Sequence, residues 1–408
     1  MTKQDIIRAA SIVWGKDLYK KMNLTEVAKY LGVTKPALYR HFSSKEALLD
    51  GLYKDFFDRY APFLEQVLLV VQKEAVMQDQ VVYVVKSMAD YFIKNKYDFI
   101  FFLNLVIGQK KPGRILKQEL EHRGIYIGDV DACYGKKESL SLLKMVSVTV
   151  VFSVALFHFE RMHTVDEVAE ETAAAAAENV ADLVLEGFCT SDVLRTMPDF
   201  SILDQAFSEL WNQLQKNVPN RGVASAQLLD AVARAIAEVG PWEASMEFVA
   251  KKAGLSKSGL YAHFASKEEM FRQLFLNEFD ALADLLEQAL TLSADAMAQL
   301  YLTMRSVADY LRTHRDILLV MDWVRLQRID LGILIPERGL NLFSFTKALP
   351  LRPSLKNWDN LTLASWILFF VVNQLMVEMR LGIGETDSQE NLHDLFTYMT
   401  TGVKGWKK

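Results

Sequence analysis

Between Thr34 and Lys45 the chain gathers Lys35, Tyr39, Arg40, His41 and Lys45 around one apolar pair, Leu38 and Phe42. Cations, an imidazole and a phenol of this kind neutralise or hydrogen-bond phosphates, and an arginine can meet two acceptors of a guanine at once. Leu38 and Phe42 are four apart, so a helix here turns both inward and leaves Lys35, Pro36, Ala37, Tyr39, Arg40 and His41 outward. That face is small, basic and aromatic, which suits a major groove. The set returns 222 residues later as Ser256, Lys257, Ser258, Gly259, Tyr261, His263 and Lys267 around Leu260 and Phe264.

The neighbouring elements are shaped to present this face. Leu24, Val27, Ala28 and Leu31 fall on one side of a preceding helix, which Asn23 caps with Glu26 three positions on. Gly32 supplies the positive φ that ends it. Thr34 is placed to cap the reading helix, Pro36 is tolerated in its first turn, and Ser43 or Ser44 caps a third helix. Two helices across a glycine turn, the second exposed and basic, make a helix-turn-helix. Ahead of it, Ile6, Ile7, Ala10 and Val13 give an opening helix its apolar face, as Leu228, Leu229, Val232 and Ala235 do in the second copy.

The windows Leu24 to Tyr53 and Met246 to Phe275 align without a gap and share 13 identities over 30 residues. Unrelated helices would share about two or three, so this is an internal repeat. The residues Val27-Ala28, Gly32-Val33, Leu38-Tyr39, His41-Phe42 and Ser44-Lys45-Glu46 resemble the signature of the TetR family of bacterial regulators. Val249-Ala250, Gly254-Leu255, Leu260-Tyr261, His263-Phe264 and Ser266-Lys267-Glu268 resemble it equally. The resemblance implies three-helix DNA-binding heads, phosphate contacts at Tyr39, Tyr261, Lys45 and Lys267, and helical bodies that bind a small-molecule effector. It also implies pairing of subunits through the last two body helices. Lysine at a helix N-terminus is electrostatically disfavoured, which independently points Lys45 and Lys267 toward phosphate.

Two further constellations compete. Glu119/His122, Glu160/His163 and Glu390/His393 each have the Glu-x-x-His spacing that di-iron helix bundles use in pairs, and an all-α metal enzyme is the alternative reading. The first pair sits in a charged segment and the others near helix ends, where polar faces are expected anyway, so no metal and no cofactor is assigned. His158, Arg161, Arg325 and Asn373 lie in or beside apolar tracts and are either satisfied structural groups or effector contacts. With Phe102 and Trp323 they form the candidate effector set. Gly-x-Gly-x-x-Gly, Gly-Lys-Ser/Thr and Gly-x-Ser-x-Gly motifs are absent.

Composition bounds the rest. The chain of 408 residues is 51% hydrophobic and allows two to four domains. Its longest apolar runs, Val146 to Phe159 and Trp366 to Val372, are shorter than the roughly 18 to 20 residues of a membrane span. No signal peptide is evident, and two isolated cysteines, Cys133 and Cys189, fit a reducing cytoplasm. Net charge is −5, yet residues 1–54 carry ten Lys/Arg against five Asp/Glu, or +5. Residues 223–276 carry six against six, so the remainder holds −10. A basic tip on an acidic body directs phosphate to the first head.

The repeat extends past the heads: Ser87 to Tyr91 returns as Ser306 to Tyr310, and Leu185 to Phe188 is echoed at Val403 to Trp406. The expected architecture is all-α. Head 1 covers 1–54, body 1 covers 55–189, a connector with a helix covers 190–222, head 2 covers 223–276 and body 2 covers 277–408. The expectation is a cytoplasmic regulator, a repressor without catalysis, binding double-stranded operator DNA and a mostly apolar effector. One chain then acts as an intramolecular pseudo-dimer.

Overall fold

The computed structural model describes residues 1–15, 23–71, 76–106, 114–126, 139–161, 168–195, 197–216, 223–324 and 337–405. Among them no strand occurs, and one isolated antiparallel bridge joins Cys189 to Leu351. The fold is all-α. The chain divides into two compact units, Met1–Leu185 and Glu186–Lys407.

The first unit runs α1 (Lys3–Gly15), α2 (Leu24–Tyr30), α3 (Lys35–Tyr39), α4 (Lys45–Val71), α5 (Met77–Lys94), α6 (Lys96–Val106), α7 (Arg114–His122), α8 (Ser139–Glu160) and α9 (Glu170–Glu186). α1 packs on α2 and α4, and Ile6, Ala10 and Trp14 of α1, like Val27, Leu38, Leu48 and Leu52, are all at most 2% exposed. Each of the large side chains contributes about 1.5 to 3 kcal/mol by leaving water. Helix α4 belongs to head and body alike: it passes position 54 without a break. Beyond that point Phe56, Tyr60, Phe92 and Phe102 stack with ring centroids 4.8 to 5.9 Å apart. The buried Asp98 ties three helices together, accepting from Arg59 Nη2 at 2.6 Å and Tyr91 Oη at 2.7 Å.

The second unit contains α10 (Phe200–Lys216), α11 (Val223–Glu243), α12 (Met246–Lys252), α13 (Lys257–His263), α14 (Lys267–Ala289), α15 (Ala296–Thr313), α16 (Arg315–Val324), α17 (Glu337–Asn341), α18 (Asn360–Leu381) and α19 (Glu385–Thr401). The helix expected inside the connector is α10, and it is built into this unit. Leu203, Asp204 and Phe207 are buried, while Ile202 stays 66% exposed. Asp204 accepts from Arg305 Nη1 at 2.9 Å and from His393 Nε2 at 2.8 Å, with the Tyr301 hydroxyl on the same carboxylate. A carboxylate only accepts, so Nε2 carries the imidazole proton.

Residues 187–190 form a seam with the end of α19. Phe188 N donates to Met399 O at 2.8 Å and Cys189 N to Thr400 O at 3.0 Å, while Thr190 N reaches Pro350 O and Arg352 N reaches Phe188 O at 2.9 Å each. Phe188 also meets Trp358 and Trp366 edge-on. Within α18, Asn360–Met379 is long and apolar enough to cross a membrane by length and composition, and 72% of it is buried inside the structure. The count of uninterrupted apolar residues misses this helix because uncharged Asn, Thr, Ser and Gln punctuate it.

Candidate nucleic-acid interface

In both heads the turn between the paired helices is the same. Gly32 and Gly254 stand at φ +67° and +69°. The following amides fold back, Val33 N to Ala28 O and Leu255 N to Ala250 O, each at 2.9 Å. This closes the exposed carbonyls of α2 and α12 and fixes the angle at which the reading helix departs. Asn23 Oδ1 accepts from Thr25 N at 2.9 Å, and Ser245 Oγ does the same for Phe248 N at 3.2 Å.

The reading helices differ in how they start. Thr34 has the extended backbone of a cap but its hydroxyl makes no capping bond, contrary to the sequence expectation. Ser256 does cap, accepting from Gly259 N at 3.0 Å. α3 is five residues long and α13 seven. Replacing Ser256 by Ala should therefore lower the stability of the second head by about 1 kcal/mol, while Thr34→Ala should change the first by a few tenths. Thermal unfolding of the two variants checks this, and equal losses would contradict it.

Leu38 and Leu260 are the buried anchors at 2% and 0% exposure. Phe264 is buried too, whereas Phe42 is only half-buried, with the Lys3 ammonium 5.7 Å from its ring centre. Outward, Thr34, Lys35, Pro36, Tyr39, Arg40 and Lys45 are exposed, with Ala37 and His41 half-buried. In the second head Ser256, Lys257, Ser258, Tyr261 and His263 are exposed, with Gly259 and Lys267 half-buried. Tyr39 and Tyr261 are 45% and 46% exposed, so the two copies present this phenol alike.

Lys45 and Lys267 each open a long helix whose first turn is capped by serine, through Ala47 N to Ser44 Oγ and Glu269 N to Ser266 Oγ, both 3.1 Å. Beside them, Glu46 is held below the usual carboxylate range by a backbone N–H bond, then by the Ser44 hydroxyl; Glu268 is held the same way with Ser266. These ionised first-turn carboxylates suit the helix dipole, and a lysine stands beside each of them at the helix start. The Lys267 ammonium also lies 5.7 Å from the Phe271 ring centre.

Of the six candidate effector residues three lie in the first unit: Phe102 sits in its aromatic cluster, and His158 is buried with Nε2 2.9 Å from Phe92 O. Arg161 is exposed over the Phe157 ring. Trp323 lies on α16 and Asn373 is half-buried on α18 in the second unit, while Arg325 falls outside the described residues.

A small recess in the second unit, partly open to solvent, is lined by apolar side chains, among them Phe279, Leu282, Leu286, Val307, Phe343 and Ile367. Its lining reads in sequence like ordinary core. Of the Glu-x-x-His pairs, Glu119 is paired with Arg123 at 2.6 Å, His163 lies outside the described residues, and His393 serves Asp204. Among the described residues no three His, Cys, Asp or Glu are grouped to hold a metal ion.

No curated protein matches the sequence. Solved structures similar to it include the transcriptional regulator FadR from Bacillus subtilis in complex with stearoyl-CoA, 19% identical, with 44% of this chain and 99% of that one covered at a TM-score of 0.35. Another is the fatty acid degradation regulator FadR from Bacillus halodurans, 20% identical, with coverage of 44% and 99% and a TM-score of 0.34. The family model for bacterial regulatory proteins of the tetR family matches twice, at residues 6–52 and 228–274, the segments that form the two heads. The chain carries the DNA-binding domain of the bacterial tetR regulatory proteins twice in tandem, once in each head, and is a DNA-binding transcriptional regulator.

Proposed function

We propose that this regulator occupies one operator with both heads of a single chain, as a repressor that a small, mostly apolar effector releases. The heads are 1–54 and 223–276, the bodies 55–189 and 277–408, and 190–222 joins them. The observation that carries the reading is the duplication of the expected phosphate-contact positions: equal exposure of Tyr39 and Tyr261, and Lys45 and Lys267 at matching helix starts. Family members pair two such heads through their last two body helices; here both sets of helices are in one chain. Successive major-groove faces lie about 34 Å apart, so only one head spacing fits both half-sites. An effector shifts the equilibrium between spacings as far as its affinities for them differ. Catalysis has no part in this mechanism, and its place of action is the cytoplasm, with the DNA.

Selection from genomic DNA followed by footprinting and light scattering tests the proposal. One chain bound across two adjacent major-groove faces supports it; an obligate dimer of full-length chains with heads paired between chains refutes it.

The outward faces differ where bases would be read: Pro36, Ala37 and Arg40 against Ser258, Gly259 and Ala262. Arg40→Ala should cost about 1 to 3 kcal/mol and relax specificity in one half-site only. Lys45→Ala should weaken all sequences alike and reduce the log-log salt slope by about 0.9. Equal sensitivity of both half-sites to base substitution would end the asymmetry argument.

A further inference from the structure

The segment 190–222 lies wholly inside the second compact unit, which begins at Glu186. It leaves the seam at residues 187–190, makes a 3₁₀ turn at Ser191–Arg195 that packs on α19, and continues as α10. α10 rests on α14 and α15 of the body, and seven residue steps after its end at Lys216 the first helix of head 2, α11, begins at Val223. Seven steps reach at most about 25 Å. Head 2 is therefore tied to its body twice, by the unbroken α14 and by this segment.

The attachment of α10 is concentrated in about two turns, from Phe200 to Phe207. The Phe200 ring stacks on that of His393 with centroids 4.4 Å apart, Asp204 takes up Arg305, Tyr301 and His393, and the Arg305 guanidinium lies 5.6 Å from the centre of the Phe207 ring. Leu203 and Phe207 are the buried apolar side chains among the described residues of α10. Past them Leu210, Trp211 and Leu214 are half-buried, and Glu209, Asn212 and Gln213 are exposed. α15 beneath has thirteen of its eighteen residues buried. The receiving groups are particular to this unit: at the offset of 219 that relates α15 to α5, Val82 and Lys86 stand where Tyr301 and Arg305 do, and Lys86 pairs with Glu178 of its own unit.

A carboxylate and a guanidinium buried together fix how a helix sits more than how tightly, because their desolvation offsets their attraction. The docking of α10 then rests on a few apolar side chains, the condition for a segment that opens at lower free energy than the fold as a whole. We infer that α10 is a releasable strap: docked through Phe200, Leu203, Asp204 and Phe207 it pre-orients head 2 on its body, and it opens as one unit while the body stays folded. The consequence for DNA rests on the reading of one operator by both heads proposed above. A head restrained along two routes has less tilting freedom to lose on binding, so the docked strap favours the DNA-bound state.

Hydrogen–deuterium exchange of the full chain, followed by mass spectrometry, tests the strap. Residues 200–216 are expected to exchange together and faster than residues 296–313 of α15. Phe207→Ala should speed exchange in α10 by about tenfold and leave α15 and α18 within about twofold of the parent protein, while Ile202→Ala, at an exposed position of the same helix, should change neither. Phe207→Ala should also weaken binding to a duplex selected from genomic DNA severalfold. Exchange of α10 at the rate of α15, equal acceleration of α10, α15 and α18 by Phe207→Ala, or unchanged affinity for the duplex when α10 is released would overturn the inference. Failure to select any duplex would instead refute the regulator reading, and the exchange rates would still decide whether α10 opens alone.

Discussion

Replacing Gly187 by alanine is expected to destabilise the second unit by about 3 to 5 kcal/mol, among the larger effects a single methyl group can have. Gly187 has φ +69°, which costs an L-residue about 1 to 2 kcal/mol. A β-carbon there would also lie 2.5 Å from the backbone nitrogens of Thr401 and Gly402, and 2.6 Å from the carbonyl carbon of Thr400. Backbone cannot swing aside as a side-chain tip can. Relief must come from opening the seam in which Phe188 and Cys189 bond to Met399 and Thr400. Gly32→Ala is the matched control, with nearly the same φ and nothing within 4 Å of the added atom. Urea unfolding followed by tryptophan emission suits the comparison, since Trp358 and Trp366 both contact Phe188. If the two variants lose the same stability, the close approach at Gly187 has no energetic weight.

Asp204→Ala should remove about 3 kcal/mol from the same unit and should also change its acid limb. Arg305 is 9% exposed; losing Asp204 leaves Asp309, 2.8 Å from its Nε, as its remaining carboxylate among the described residues. Breaking a buried pair from one side costs about 3 to 5 kcal/mol, and the retained partner sets the lower end. Burial pushes the Asp204 carboxyl up, but hydrogen bonds from His393, Tyr301 and Gln389 and the Arg305 charge outweigh it, so its pKa is lowered. A depressed folded pKa means that the contribution is fully present above the unfolded value of about 3.9 and is lost as pH falls through the folded value. The gap between native and variant protein should be flat from about pH 5 to 7 and shrink below about pH 4. A gap that stays constant down to pH 2 would show that Asp204 holds no net charge-linked stability.

The heads could be read from sequence because each of their signals is local. Asn23, Gly32, Ser44 and the Leu38 spacing act within four residues of themselves, and the repeat doubles every one of them. Thr34 shows the limit of such reading, since residue type permits a cap but side-chain rotation decides whether the bond is made. The bodies carry no such local signal. Polar residues inside apolar tracts draw attention to His158 and Asn373, while the recess bounded by Leu282, Val307 and Ile367 is lined by the residue types of any core. Nor does spacing reveal that His393 meets an aspartate 189 positions away. Such pairings depend on tertiary placement alone.

The unbroken course of α14 has a mechanical meaning. Lys267, at its first turn, is a proposed phosphate contact, and Leu282 and Leu286, further along, line the recess. Fifteen residues separate Lys267 from Leu282, about 22 Å of helix at 1.5 Å per residue. A rod of that length, tilted by about 5° at the recess, carries its far end through about 2 Å, comparable to the reach of a hydrogen bond. In α4 the matching stretch contains Pro62, where α14 has Asp284. Proline leaves the carbonyl four residues earlier, that of Asp58, without its helical donor, two residues past Tyr60. Over this stretch the lever of the second unit carries no proline, and that of the first carries one.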